Sequence, residues 1–222
     1  MDKAENGGDQ RRSMVAYEVL LEKILSGELL PGSIIQERRL TEEIGVSRTP
    51  VRDALLMLEN EGLLVRREPR MLQVKHMDTR EYFDNLHIRQ ILEPEAASLA
   101  AQRVATAEVE ALEARIEALA ASDEPERAEI RATDERLHEM IGLNSGNPQL
   151  WRIVQGLRLQ TLVFDVKSLP ERRQATFAEH LTILGALKAR NSDAARDAMF
   201  SHLENVRKSI IDHLTGGGAS GR

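Results

Sequence analysis

The chain has no cysteine. That excludes disulfides and thiolate metal sites, and it fits a reducing cytoplasm. Aromatic residues make up only 3%, too few for the stacking platforms that hold single-stranded nucleic acid. No apolar run approaches the roughly 18 residues of a membrane span, and no leader is evident. The expected setting is therefore the cytoplasm, with no membrane partner. A strong charge of one sign is also missing. The net charge is −6, and it is unevenly spread. Residues 11–76 carry 11 basic against 10 acidic side chains, whereas residues 77–222 carry 18 against 23. A nearly neutral first part can still meet nucleic acid phosphates if its arginines gather on one face.

What is present falls into two parts, and 222 residues leave room for two modest domains. The first part contains QERRLTEEIGVSRTPVRDALLMLENEGLL, residues 36–64. Leu40 and Ile44, four apart, predict a short helix over 37–44. Gly45 stands where a helix commonly stops, because glycine enters the left-handed conformation without penalty. Ser47 or Arg48 opens a second helix, with Thr49 and Pro50 in its first turn. Val51, Leu55, Leu58 and Leu63 form its apolar side, and Arg48 and Arg52 share a different face. A helix that buries one side and offers arginines at its N-terminal end is what the recognition helix of a helix-turn-helix needs. Arginine can grip guanine through two parallel bonds, or hold phosphate. An ordinary helical hairpin within a bundle is the plainer alternative.

Around this motif the pattern predicts a polar, flexible arm over 1–12 and an amphipathic helix over 13–27, with Val15, Val19, Leu20, Ile24 and Leu25 on one side. LLVRREPRMLQVKH, with Pro69 and Arg70 at its tip, reads as a hairpin wing. The winged helix thus spans 13–76. A linker follows at 77–79, where Asp78 or Thr79 can cap the next helix. From 80 to 214 only helical periodicity is visible, in six segments: 80–103, 106–121, 126–143, 148–168, 171–190 and 193–214. Asn147-Pro148 is a well-formed helix start. Pro94 falls inside the first segment and predicts a kink there. A flexible tail is expected over 215–222. The fold class is mainly α: an N-terminal winged helix-turn-helix followed by an all-helical bundle.

The second part carries a possible metal site. Asp134 and His138 lie four apart on one helix, so their side chains meet on one patch. Alone, such a pair is more often solvated. His180 lies beside Leu184 and Leu187, and His202 beside Met199, Leu203 and Val206, both on faces that should be buried. A buried imidazole needs a partner. One carboxylate with three imidazoles suits a first-row divalent ion, zinc first and nickel, manganese or iron as alternatives. Core histidines bonded to their neighbours are the other reading. His76, His87 and His213 are expected to be exposed.

SRTPVRDALLMLENEGLL resembles the signature of the GntR family of bacterial transcription regulators, over roughly residues 13–75. The six helical segments resemble its FCD subgroup, named for the C-terminal domain of the fatty-acid regulator. The resemblance implies DNA contacts by Arg38, Arg48 and Arg52, with Ser47 and Thr49 touching phosphate or simply capping the helix. It also implies Asp134, His138, His180 and His202 as metal ligands facing a central cavity. Arg89 would be a contact for a small carboxylate effector, or else half of a surface ion pair with Glu93. One departure stands out. The family wing usually carries glycine near its tip, where this chain has Met71, which leaves Arg70 to supply a minor-groove contact. Together these features imply a ligand-responsive regulator, a repressor by the habit of the family, that binds double-stranded palindromic operator DNA as a homodimer. The alternatives are a metal-dependent hydrolase with a DNA-binding appendage, and a repressor whose helical domain is only a metal-stabilised dimerisation module.

Overall fold

A computed structural model describes residues 2–68, 71–165 and 172–215. Among the described residues the elements are α1 (Asp2–Leu25), α2 (Glu37–Ile44), α3 (Arg48–Asn60), β1 (Leu64–Glu68), β2 (Met71–Val74), α4 (Thr79–Ala100), α5 (Thr106–Ala121), α6 (Arg127–Asn144), α7 (Pro148–Asp165), α8 (Arg173–Lys188) and α9 (Ser192–Leu214). This is a mainly helical protein with a two-stranded wing, as the hydrophobic pattern predicts. None of the helices among the described residues is long and apolar enough to cross a membrane. The chain divides into two compact units, Met1–Tyr82 with Leu159–Lys167, and Phe83–Arg158 with Ser168–Arg222.

In the first unit, Gly45 takes a left-handed conformation (φ 74°, ψ 25°) and its N–H bonds the Thr41 carbonyl, ending α2. That turn sets α2 against α3. Val51, Ala54, Leu55 and Leu58 of α3 are buried, as is Leu63 just beyond it. The buried face of α1 matches the expected one at Leu20, Ile24 and Leu25 and departs from it at Val15 and Val19. Ala16, Leu20, Ile24 and Leu25 are inside, while Val15 and Val19 are exposed. The 16–20–24 spacing keeps one stripe against the core, and Val15 and Val19 lie on the neighbouring stripe. The α1 backbone also continues to Asp2, into the segment read as an arm. Its helix-forming Lys3, Ala4, Glu5, Gln10, Arg11 and Arg12 outweigh Gly7 and Gly8.

The wing pairs β1 antiparallel to β2, with Leu64 opposite Val74 and a bulge between Arg66 and Glu68. Residues 32–35 run along the other edge of β2: Ile35 N–H bonds the Leu72 carbonyl at 2.8 Å, and Val74 N–H bonds the Ser33 carbonyl at 2.9 Å. The sequence offers no alternating run there, only Leu30-Pro31-Gly32, so this third edge goes unforeseen. Leu159 and Leu162 of α7 pack against the same core.

From α4 onward, the starts of α4 and α7 follow the expected capping. Asp78 Oδ1 accepts from Glu81 N–H at 2.8 Å at the start of α4. Asn147 Oδ1 accepts from Leu150 N–H at 3.1 Å at the start of α7, and Asn191 does the same for α9. Pro94 lies inside α4. Gly142 of α6 lets Trp151 of α7 lie directly on the helix backbone; a Cβ there would meet the indole ring at 2.1 Å. The expected helix ends near Leu169 and Pro170 fall outside the described residues.

Candidate DNA-facing helix and metal centre

Arg48 and Arg52 are exposed on α3, and Arg38 is exposed on α2. Arg52 Nε donates to Glu37 Oε1 at 2.8 Å, with 62% of the arginine side chain still exposed. Arg38 lies 3.7 Å from Glu42, too long for a strong bond. Ser47 is the N-cap residue of α3, extended at φ −69° and ψ 169°, yet its hydroxyl makes no capping bond. Ser47 and Thr49 are both exposed. The first N–H groups of α3 thus keep their donors beside two hydroxyls, an arrangement suited to phosphate. Arg70 lies outside the described residues. Met71 opens β2 in paired strand conformation, so its position does not call for glycine's backbone freedom.

The four candidate ligands converge. Asp134 and His138 project from α6, His180 from α8 and His202 from α9, with one ligand atom of each lying within 4.8 Å of all the others. Ligands about 2.0–2.2 Å from one ion stand at most about 4.4 Å apart, so the set needs only a small adjustment to share one. The imidazole centroids of His180 and His202 are 4.8 Å apart, and those of His138 and His202 5.7 Å. All three histidines are buried. His180 Nε2 lies 3.4 Å from Asp134 Oδ1, and His138 Nε2 lies 3.8 Å from the same oxygen. Neither nitrogen has a hydrogen-bond partner among the described residues. A buried polar atom left unpaired costs about 1–3 kcal/mol, and two of them aimed at one carboxylate fit a cation well. His76, His87 and His213 are exposed.

Charged groups surround this set. Arg158 Nη2 on α7 donates to Asp134 Oδ2 at 2.8 Å. Burial alone would raise the Asp134 carboxyl, but the Arg158 charge, with His138 and His180, holds it far below the usual range. Arg89 does pair with Glu93, at 2.6 Å, but not on the surface: the two side chains are 8% and 3% exposed. Burial opposes the Glu93 charge too, and Arg89 and His138 overcome it and keep the carboxyl ionised. Glu93 Oε2 bonds His138 Nδ1. Burial pushes His138 down to about 4, and Arg158 adds to this against the pull of Glu93. Burial likewise lowers His180, with His202 acting in the same direction. Both imidazoles are therefore neutral at pH 7, the form that can coordinate a metal ion. Glu179 Oε2 faces His202 Nδ1 at 2.8 Å.

Sequence reasoning missed Glu179 and Arg158, and assigned Glu93 no task beyond pairing with Arg89. The Arg89–Glu93 spacing of four was a signal for the pair but not for its burial. Nothing local in GLRLQ marks Arg158.

Comparison with known proteins agrees with this architecture. Residues 13–74 match the family model for bacterial regulatory proteins of the gntR family, and residues 84–205 match the FCD domain. The HTH-type transcriptional repressor RspR of Escherichia coli K12 is 26% identical over 200 residues, covering 87% of this chain and 86% of that one. The Uxu operon regulator of Haemophilus influenzae is 29% identical over 212 residues, covering 84% and 75%. The solved structure of E. coli McbR/YncC superposes with a TM-score of 0.78 at 22% identity, covering 91% of this chain and 98% of that one. With a winged helix whose arginines are exposed and a matched helical domain following it in the sequence, the chain belongs to the GntR family of bacterial regulators, FCD subgroup, and is a DNA-binding transcription regulator rather than an enzyme.

Proposed function

We propose that this regulator is a metal-containing repressor whose operator affinity answers to a small carboxylate. The winged helix, residues 13–76, binds a palindromic operator in the cytoplasm as a homodimer, because two-fold protein symmetry matches two half-sites. Arg48 and Arg52 read base edges or phosphate, Arg38, Ser47 and Thr49 contact the backbone, and Arg70 reaches from the wing. The helical domain, residues 80–214, holds one divalent ion through Asp134, His138, His180 and His202, with zinc the first candidate and nickel, manganese or iron the others.

The observation that carries the metal reading is the pair of buried, unpartnered Nε2 atoms of His138 and His180 beside Asp134. The charge balance carries the effector reading. Arg89, Arg158 and Arg172 are matched by Glu93, Asp134 and Glu179, so the protein brings little net charge of its own. When bound, the ion supplies two positive charges and open coordination positions, which favours an anion as its companion. Arg89, on α4, is the candidate second contact for that anion. The repressor sense follows the relative named as a repressor.

Elemental analysis of the purified protein tests the first step: about one divalent ion per chain, lost in His180→Ala together with part of the thermal stability. A protein that stays metal-free after reconstitution overturns it. A thermal-shift screen of small carboxylates, followed by operator titration with and without metal, tests the second. An effector that changes operator affinity only in the metal-loaded protein is expected. Operator affinity indifferent to every bound carboxylate would reduce the helical domain to a dimerisation module.

A further inference from the structure

His138 and His202 share an arrangement that no spacing in the sequence announces. Each imidazole presents Nδ1 to a glutamate, and each glutamate is gripped from behind by an arginine. Glu93 Oε2 meets His138 Nδ1, while Glu93 Oε1 takes Arg89 Nε at 2.6 Å. Glu179 Oε2 meets His202 Nδ1 at 2.8 Å, while Glu179 Oε1 takes Arg172 Nη2 at 2.7 Å and Asn205 Nδ2 at 2.9 Å. The division of labour is the same in both: one carboxylate oxygen for the cation, the other for the imidazole. The two arms come from different helices, α4 and α8, so one local motif does not explain the likeness.

A carboxylate is ionised at neutral pH and can only accept hydrogen bonds. The imidazole nitrogen that faces it must therefore carry the hydrogen. A neutral imidazole has one ring hydrogen to give, so its Nε2 is left as a bare lone pair. In His138 that lone pair lies 3.8 Å from Asp134 Oδ1, acceptor facing acceptor, with no hydrogen between them. Carboxylates behind metal-bound histidines fix ring orientation and tautomer in this way.

We infer that Glu93 and Glu179, anchored by Arg89 and Arg172, are positioning residues that lock His138 and His202 in the Nδ1–H tautomer and keep both Nε2 lone pairs aimed into the cluster. The inference rests on the metal reading of that cluster. It also gives Arg89 a task inside the protein: it acts on the site through Glu93, alongside whatever it contributes to holding an anion.

The test uses the full chain and two independent readouts. In chelator-treated protein, long-range proton–nitrogen spectra of the histidine rings report which nitrogen carries the hydrogen. His138 and His202 are expected as Nδ1–H, and Glu179→Ala is expected to release His202 to a tautomer mixture while leaving His138 unchanged. An Nε2–H tautomer at either histidine in the wild type overturns the inference for that arm. The second readout is zinc affinity, measured by competition with a chromophoric chelator. Glu179→Ala should lose roughly 10–100-fold, and Glu179→Gln, which retains an acceptor oxygen for Nδ1, should lose less. Wild-type affinity in Glu179→Ala overturns the positioning role. Glu179 is partly exposed, unlike Glu93, so this variant is the one expected to fold normally. A wild-type protein that binds no zinc defeats the metal reading, while the tautomer spectra still decide the role of the two glutamates.

Discussion

Arg52–Glu37 and Arg89–Glu93 are the same chemical pair in opposite surroundings. The first lies on the outer surface of the winged helix, with side chains 62% and 33% exposed; the second lies inside the helical unit at 8% and 3%. In water such a pair is worth about 0–1 kcal/mol and salt screens it. Arg52 can therefore leave Glu37 for a phosphate or a guanine at little expense. Breaking a buried pair by removing one partner costs about 3–5 kcal/mol, so Arg89 stays where it is. The exposed pairs of the winged helix keep arginines available for an outside ligand. The buried pairs of the helical unit keep geometry fixed. The presence of an arginine and a glutamate in a sequence does not say which of these a pair will be.

Salt should separate the two regions most sharply. If the bound dimer neutralises about 6–10 phosphates, operator affinity falls by about 10³–10⁵ between 50 and 200 mM salt, while zinc affinity at the buried cluster changes little. Parallel titrations check this, and equal salt dependence would erase the distinction. Next in size, Arg89→Ala should lower stability by about 3–5 kcal/mol in denaturant unfolding, because Glu93 keeps its buried charge and loses its nearest cation. A loss within 1 kcal/mol would show that Arg158 and His138 compensate Glu93 unaided. Arg48→Ala and Arg52→Ala should each weaken specific operator binding by about 1–3 kcal/mol with the melting temperature unchanged; anisotropy titration at matched salt is the measurement. Glu37→Ala should be the smallest. It frees Arg52 and alters stability by no more than about 1 kcal/mol, and operator binding holds or tightens slightly. A large loss of affinity in Glu37→Ala would mean that the exposed pair also positions its arginine.

Local signals made much of the fold legible. Leu40 and Ile44 with Gly45 mark the bounds of α2, and Asn147-Pro148 marks the start of α7, because capping and left-handed turns depend only on neighbours in the chain. Asp134 and His138 could be paired because helical spacing alone brings positions four apart together. Their supporting groups could not. Glu179 adjoins His180, yet consecutive helix positions point about 100° apart, and its partner is His202 on another helix. Arg158 reaches Asp134 only once α7 is laid beside α6. The edge pairing of residues 32–35 was hidden for a related reason: the hydrogen bonds are made by backbone atoms, which side-chain patterns do not report. On α1 the apolar pattern was wide enough to admit two stripes, and packing chose the one with Ala16.

Gly142 has one more consequence. Its missing side chain seats Trp151, the single tryptophan of the chain, against α6. Gly142 lies one turn beyond His138 on α6, and Trp151 lies two turns before Arg158 on α7. The ring therefore sits across the same helix pair that carries the Asp134–Arg158 bond. A change in the α6–α7 spacing alters how much water reaches the indole, and indole emission shifts with its surroundings. The protein thus carries its own optical gauge of the cluster, readable by intrinsic fluorescence without a label.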